Sequence, residues 1–351
     1  MFASALQPGA RRIRRACSAF IGVLLTAVLV AGCGTNFGMT ADGKQRYRWK
    51  MTVTAGATST WYLAAEKFAT ALDEETDGRI TVKIFTNERL SAGEPTAGVE
   101  QLMDGAKDLS YNSPIIYAGV NPRYGAVTAP FRFASVDEGA AALDGRGGEL
   151  YREMLAADGV QLIDFGESGM RQLTNARRPI LAPEDMRGLK FRIPGFGLYT
   201  DFYRAVGANP TTMAFSEVFT ALQQGAIDGQ ENPVDIIYAS DLQAVQPYLS
   251  IWNYSYDPII LGMNKDLFDS LSEEDQELVN RLGREASEFQ IKQNRENEEG
   301  QLAELADMGM QIDTLTEEQI EEFKKPLADL YASYREVWGP ELADEFIPEG
   351  Y

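Results

Sequence analysis

The chain has 351 residues, 44% hydrophobic and 24% charged, with 32 Lys+Arg, 52 Asp+Glu, no His and 2 Cys. Such proportions belong to a folded protein of about two domains. The missing His excludes Ser-His-Asp and Cys-His catalysis and His-ligated zinc, the few Cys exclude thiolate metal clusters, and a net charge of −20 argues against nucleic-acid binding.

In chain order, Arg11, Arg12, Arg14 and Arg15 form a positive segment, Phe20 to Val30 is apolar, and Val30-Ala31-Gly32-Cys33 follows. Those are the parts of a secretory signal, and the apolar run is short for a transmembrane helix. A Cys directly after small residues resembles the lipobox of bacterial lipoproteins. In that pattern cleavage leaves Cys33 as a lipid-carrying N-terminus, anchored on the extracytoplasmic, periplasmic side of the cell membrane. The alternative is an ordinary signal peptide with an incidental Cys33. Removing residues 1–32 leaves 28 basic and 52 acidic residues, a net −24. From Lys265 to Tyr351 the balance is 8 against 24, so most of the acidity sits on C-terminal helices, where solvated faces favour solubility.

Gly34 to Arg46 reads as a tether, and residues 33–46 are assigned to it. Alternation at Trp49 to Thr54 predicts a strand. Ser59 or Thr60 caps a helix that places Tyr62, Ala65, Phe68, Ala69 and Leu72 on one face. Arg79 to Thr86 is a second strand, Pro95 to Met103 a helix, and Asp108 to Tyr111 a short third strand. This βαβαβ order implies a sheet covered by helices. A second α/β region has strands at Val160 to Phe165, Leu189 to Ile193 and near Ile227, with a helix presenting Val218, Phe219 and Leu222. Ile251 to Met263 is apolar and extended. Ser272-Glu273-Glu274-Asp275 and Thr316-Glu317-Glu318-Gln319 read as capping boxes, and Leu278 to Met310 as one long helix or two.

In open α/β sheets ligands bind beyond the carboxyl ends of strands, which points to three places. In Gly188-Leu189-Lys190-Phe191-Arg192-Ile193-Pro194-Gly195 the apolar residues share one face and Arg192 lies opposite, near the strand end. A guanidinium there can grip a carboxylate with two parallel hydrogen bonds; the plainer reading is a structural ion pair. In Gly225 to Pro233, Asn232 can offer a donor and an acceptor, or simply sit in a turn, and Gly229 permits a sharp local path. In Gly166 to Gln172, Arg171 follows a strand and the two glycines Gly166 and Gly169. Asp228 and Glu231 raise a rival: the paired carboxylates of an extracytoplasmic carbohydrate-active enzyme.

Taken together, Gly169-Met170-Arg171-Gln172 through Arg178, then Gly-Leu-Lys-Phe-Arg-Ile-Pro, then the run Gly207 to Pro233 resemble the substrate-binding proteins of tripartite ATP-independent periplasmic (TRAP) transporters, DctP type. The resemblance extends over about Arg48 to Pro340. It implies an α/β fold like that of periplasmic binding proteins: two discontinuous α/β domains with a ligand cleft between them and a helical C-terminal region. Domain I would comprise 47–168 and 257–298, domain II 169–256 and 299–351.

The resemblance also implies a solute-binding role rather than an enzymatic one. A small organic acid anion (a C4-dicarboxylate, a uronate or a related acid) is captured without a cofactor and delivered to TRAP membrane subunits. Feeding a sensor is the alternative. By this resemblance Arg192 is the main carboxylate-binding residue, Arg171 a second contact, Asn232 completes the grip and Phe215 packs on the ligand. Thr54, Tyr111, Asn112 and Ser113 fall at strand ends that vary with substrate. The family's sialic-acid branch carries an acidic residue and an Arg after the third strand; Tyr111-Asn112-Ser113-Pro114 departs from that.

Overall fold

A computed structural model of the chain describes residues 38–41, 43–348 and 350–351. Cys33 and the apolar run before it lie outside the described residues. Among the described residues no helix is long and apolar enough to cross a membrane.

Among the described residues nine strands form one mixed sheet: β1 Tyr47–Val53, β2 Ile80–Thr86, β3 Leu109–Asn112, β4 Val160–Asn175, β5 Lys190–Ile193, β6 Asn209–Thr212, β7 Gly229–Pro233, β8 Tyr248–Asn264 and β9 Gln311–Thr314. The order is β2-β1-β3-β8-β4-β7-β5-β6, with β9 paired to β8. β1, β2 and β3 are mutually parallel, as are β5, β6 and β7, and the two parallel groups are joined by the long antiparallel pair β4 and β8. The start of β4 and the end of β8 serve the β3 side, while the end of β4 carries β7. The β4–β8 register slips three times, between Leu162 and Asp164, Glu167 and Gly169, and Arg171 and Leu173. Such bulges bend a strand and increase its local twist.

Local sequence chemistry accounts for most elements. Ser59 caps the helix Thr60–Glu75 by accepting from Tyr62 N at 3.2 Å. The buried stripe of that helix is Trp61, Ala64, Ala65, Phe68 and Leu72, so Tyr62 and Ala69 fall at its edge, not its centre. Thr316 and Gln319 form the expected reciprocal capping box. At Ser272 the box is incomplete: the Ser side chain accepts from Asp275 N, but the Asp275 carboxylate is held by Arg79, at 2.9 and 2.5 Å. The helix it opens is a single one, Glu273–Asp307, 35 residues long.

Three differences from the sequence expectations have physical causes. β4 continues past Phe165 to Asn175 because β8 supplies a partner along its whole length, bulges absorbing the glycines. β6 contains Pro210, which normally argues against a strand, but it is the last strand of the sheet, where a missing donor is tolerated. Gly229 belongs to β7 and not to a turn. It is needed there for space, since a Cβ would stand 2.3 Å from Thr174 O and 2.5 Å from Phe191 Cε1. The end of the expected tether also packs on the body: Met39 bridges Gln45, and Lys44 Nζ meets Glu274 at 2.8 Å.

The Arg79–Asp275 pair ties the start of β2 to the long helix, both side chains being 8% exposed. Arg79→Met should lower stability by about 2–3 kcal/mol, between the values for exposed and fully buried pairs, when measured by chemical denaturation. Neither residue lines the cavity described next, so ligand affinity should be unchanged.

Candidate functional site

A cavity of about 380 Å³ opens where strands from both halves of the sheet end. Thr54 follows β1 and Ser113 follows β3. Arg192, Pro194 and Gly195 stand at the end of β5, Thr212 to Phe215 run from β6 into the helix Phe215–Gln223, and Asn232 is near the end of β7. Arg171 and Asp257 reach it from the middle of β4 and β8, while Trp61, Ile115, Ile116 and Ile236 supply apolar wall.

Strand alternation places Arg192. Leu189, Phe191 and Ile193 enter the core, Lys190 is exposed, and Arg192 points into the cavity with only 4% of its surface exposed. Its Nε and Nη2 donate to Met213 O at 3.0 and 2.9 Å, and its guanidinium carbon lies 5.7 Å from the centre of the Phe215 ring. Among the described residues no carboxylate forms an ion pair with it. Burial therefore pulls its pKa down to about 10, Glu231 opposing and Arg171 reinforcing the shift. It remains a cation at neutral pH, and among the described residues the outer edge of its fork, Nη1 and the second Nη2 hydrogen, meets no acceptor.

Arg171 is the opposite case. Its Nε and Nη2 bind the two Glu231 carboxylate oxygens at 2.5 and 2.8 Å, Nη1 binds Asp257 Oδ2 at 2.5 Å, and Nη2 also reaches Asn232 Oδ1 at 3.1 Å. Burial works against this charge, yet the Glu231 and Asp257 carboxylates outweigh it and hold the guanidinium well above its ordinary pKa. Tyr254 Oη donates to Glu231 Oε2 at 2.5 Å, and Ser113 Oγ donates to Asp257 Oδ1. Arg171 thus lines the cavity while serving as the centre of a buried charge cluster.

Asn232 is a strand residue opposite Gln172, not a turn Asn; its Nδ2 donates to Gln230 Oε1 at 2.5 Å. Phe215, at the first position of its helix, stands beside Arg192 on the lining. Thr54 and Ser113 also line the cavity. Tyr111 does not: its side chain enters the core toward the long helix, its hydroxyl 3.5 Å from Ser287 Oγ. Asn112, next on the strand, projects the other way and lies behind Thr54, accepting from Thr54 Oγ1 at 2.5 Å and donating to Glu88 Oε1 at 2.9 Å. The carboxylates weighed as a catalytic pair are each engaged separately, Asp228 by Arg177 Nε and Lys190 N, Glu231 by Arg171 and Tyr254.

Two parts of the site escaped the sequence reading. Asp257 is one, and its signal was present: an acid alone within the apolar strand Ile251 to Met263 needs a buried cation to face. The other is a fully buried pair below Thr54, Lys107 Nζ and Glu88 Oε2 at 3.5 Å, bridged by Thr52, whose hydroxyl accepts from Lys107 at 2.6 Å and donates to Glu88 at 2.9 Å. Nothing in the spacing of those residues announces it.

A profile of the DctP family, "Bacterial extracellular solute-binding protein, family 7", matches residues 51–337. The chain is 30% identical over 257 residues, 73% of its own length and 78% of the other's, to the 2,3-diketo-L-gulonate-binding periplasmic protein of Escherichia coli. Among solved structures, the sugar acid binding protein of Advenella mimigardefordensis, in complex with galactonate, superimposes with a TM-score of 0.81 at 28% identity, covering 85% of this chain and 96% of that one. A TRAP periplasmic solute-binding protein of Sulfurospirillum deleyianum with bound succinate gives 0.80, also at 28% identity, covering 86% and 98%. The chain belongs to the DctP family of bacterial extracellular solute-binding proteins.

Proposed function

We propose that this protein captures a small organic acid anion outside the cytoplasm and delivers it to the membrane subunits of a TRAP transporter. The observation that carries this reading is Arg192: a buried guanidinium on a cavity wall, held by one backbone carbonyl, with a fork edge toward the cavity and no carboxylate of its own. A ligand carboxylate supplies the missing countercharge through charge-assisted hydrogen bonds of about 1.5–3 kcal/mol each. Phe215 offers an aromatic face beside it. Arg171 and Asn232, fixed by Glu231, Asp257 and Gln230, form the rest of that wall. The bound solutes of the relatives described above are all acids, which agrees with this chemistry.

Capture by closure fits the sheet. Two moving parts, 47–168 with 257–298 and 169–256 with 299–351, would be joined at β4 and β8. The register slip between Glu167 and Gly169, with Gly169 paired to Asp257 and at φ 104°, supports a bend at those positions. A closed form would be what the membrane subunits recognise.

Arg192 and Arg171 should separate in experiment. Arg192→Lys keeps the charge and loses the fork, so affinity for the identified acid should fall at least tenfold in calorimetry, with the unliganded Tm within about 3 °C of wild type. Arg171→Met leaves Glu231 and Asp257 buried without their cation, and the unliganded Tm should drop by about 10 °C. Unchanged affinity in Arg192→Lys removes the carboxylate grip. The membrane anchor has its own test: Cys33→Ser should move the protein from the membrane to the soluble fraction after a salt wash, and retention in the membrane rejects the lipobox.

A further inference from the structure

Charges and hydrogen-bond donors around the cavity are distributed unevenly, and this bears on what the far end of a ligand can be. The cations on the lining are Arg171 and Arg192. Arg171 is already bracketed by two carboxylates, Glu231 and Asp257, which more than balance its charge. Arg192 alone has a charge to satisfy, which is enough for one carboxylate. The lining holds further acids in Glu94 and Glu217, both exposed. The nearby Lys107 is fully buried behind Thr52 and paired with Glu88, and it does not reach the cavity.

Beyond the ends of β1 and β3, the hydroxyl hydrogens of Thr54 and Ser113 are already committed. Glu88 Oε1 accepts from Asn112 Nδ2, which turns Asn112 Oδ1 toward Thr54, and Thr54 donates its hydroxyl to that oxygen. Ser113 donates to Asp257. Thr54 therefore meets the cavity as an acceptor, next to the Asp257 carboxylate. A second ligand carboxylate, itself only an acceptor, finds repulsion there and no cation. A ligand hydroxyl finds acceptors for its hydrogen. The indole Nε1 of Trp61, on the same side, is buried without a hydrogen-bond partner and offers the cavity no accessible donor. A ligand hydroxyl can donate to the oxygens of this side, whereas a carboxylate only accepts.

We propose that the ligand of this cavity is a hydroxylated monocarboxylate of the sugar-acid class, its carboxylate on Arg192 and its hydroxyls on the Thr54–Ser113 side, and not a dicarboxylate. This rests on carboxylate capture by Arg192 and goes further by naming what the other end must carry.

Calorimetric titration of the full-length protein with four probes tests it: D-gluconate, D-glucuronate, succinate and butyrate. At least one sugar acid should bind tenfold or more tighter than both succinate and butyrate. Succinate binding as tightly as the better sugar acid overturns the proposal while leaving carboxylate capture standing. Butyrate matching the sugar acids also overturns it, since the acceptor side would then contribute nothing. No binding by any of the four rejects carboxylate capture and this proposal with it. Thr54→Val removes the hydroxyl at nearly constant shape and should weaken the sugar acid at least tenfold, a larger loss than for butyrate, and Thr54→Ser should restore the sugar-acid affinity. Full sugar-acid affinity in a folded Thr54→Val overturns the assignment of the hydroxyl-binding side.

Discussion

The site depends on how one buried positive charge is neutralised and a second is not. Arg171 and Arg192 project into the same cavity, and each is at least nine-tenths buried. Taking a guanidinium out of water costs several kcal/mol unless an opposite charge compensates. Arg171 receives two carboxylates, one from β7 and one from β8, and becomes part of the framework. Arg192 receives a backbone carbonyl and an aromatic face, enough to orient it but not to neutralise it. On the proposed reading the arrangement keeps one cation primed for an anion from outside, at the cost of holding it desolvated until that anion arrives.

The same logic explains why an acidic protein can bind an acid. A net charge of −20 repels anions at long range, but salt screens that field over about 8–10 Å. Affinity must come from contacts short enough to escape screening. The buried clusters provide them: Glu231, Asp257 and Asn232 fix the wall around Arg171, and Glu88 with Lys107 fixes Thr54 and Asn112 on the other side. Each side of the cavity is thus oriented by buried ionic groups, of which Glu231, Glu88 and Lys107 lie behind the lining. Specificity can then be set by which hydroxyl or guanidinium edge is left over.

What could be read from the sequence follows from the range of the physics involved. Alternation along Leu189 to Ile193 depends only on neighbours, so the outward placement of Arg192 was legible. So were the Ser59 and Thr316 caps, whose partners lie within three residues. Arg171 was recognised as a cavity residue, but its bracketing by acids 60 and 86 positions away was not, because the pairing is made by the sheet. Tyr111 and Asn112 show the limit most sharply. They are adjacent in a strand, so one enters the core and the other the network behind Thr54, and only the position of the long helix decides which. β6 and the length of β4 were missed for a related reason: an edge position excuses Pro210, and a continuous partner carries β4 through its glycines.

The interruptions in β4 and the charge cluster occupy the same stretch of chain, and that coincidence couples binding to shape. Glu167, Gly169, Arg171 and Leu173 mark two register slips, and Arg171 sits between them. Its acids come from β7, which belongs to one side of the sheet, and from β8 at Asp257, paired with Gly169 where the two sides meet. In the proposed closure a bend at these bulges would turn about the Arg171 cluster, whose ion pairs tie β4 to β7 and β8. The parts that would swing are Arg192 and Phe215 beyond β5 and β6 on one side, and Thr54 and Ser113 beyond β1 and β3 on the other. A ligand long enough to touch both is stabilised most when they approach. One gripped by Arg192 alone would gain nothing from that closure, so on the proposed reading the groups opposite Arg192 decide which bound acid closes the protein.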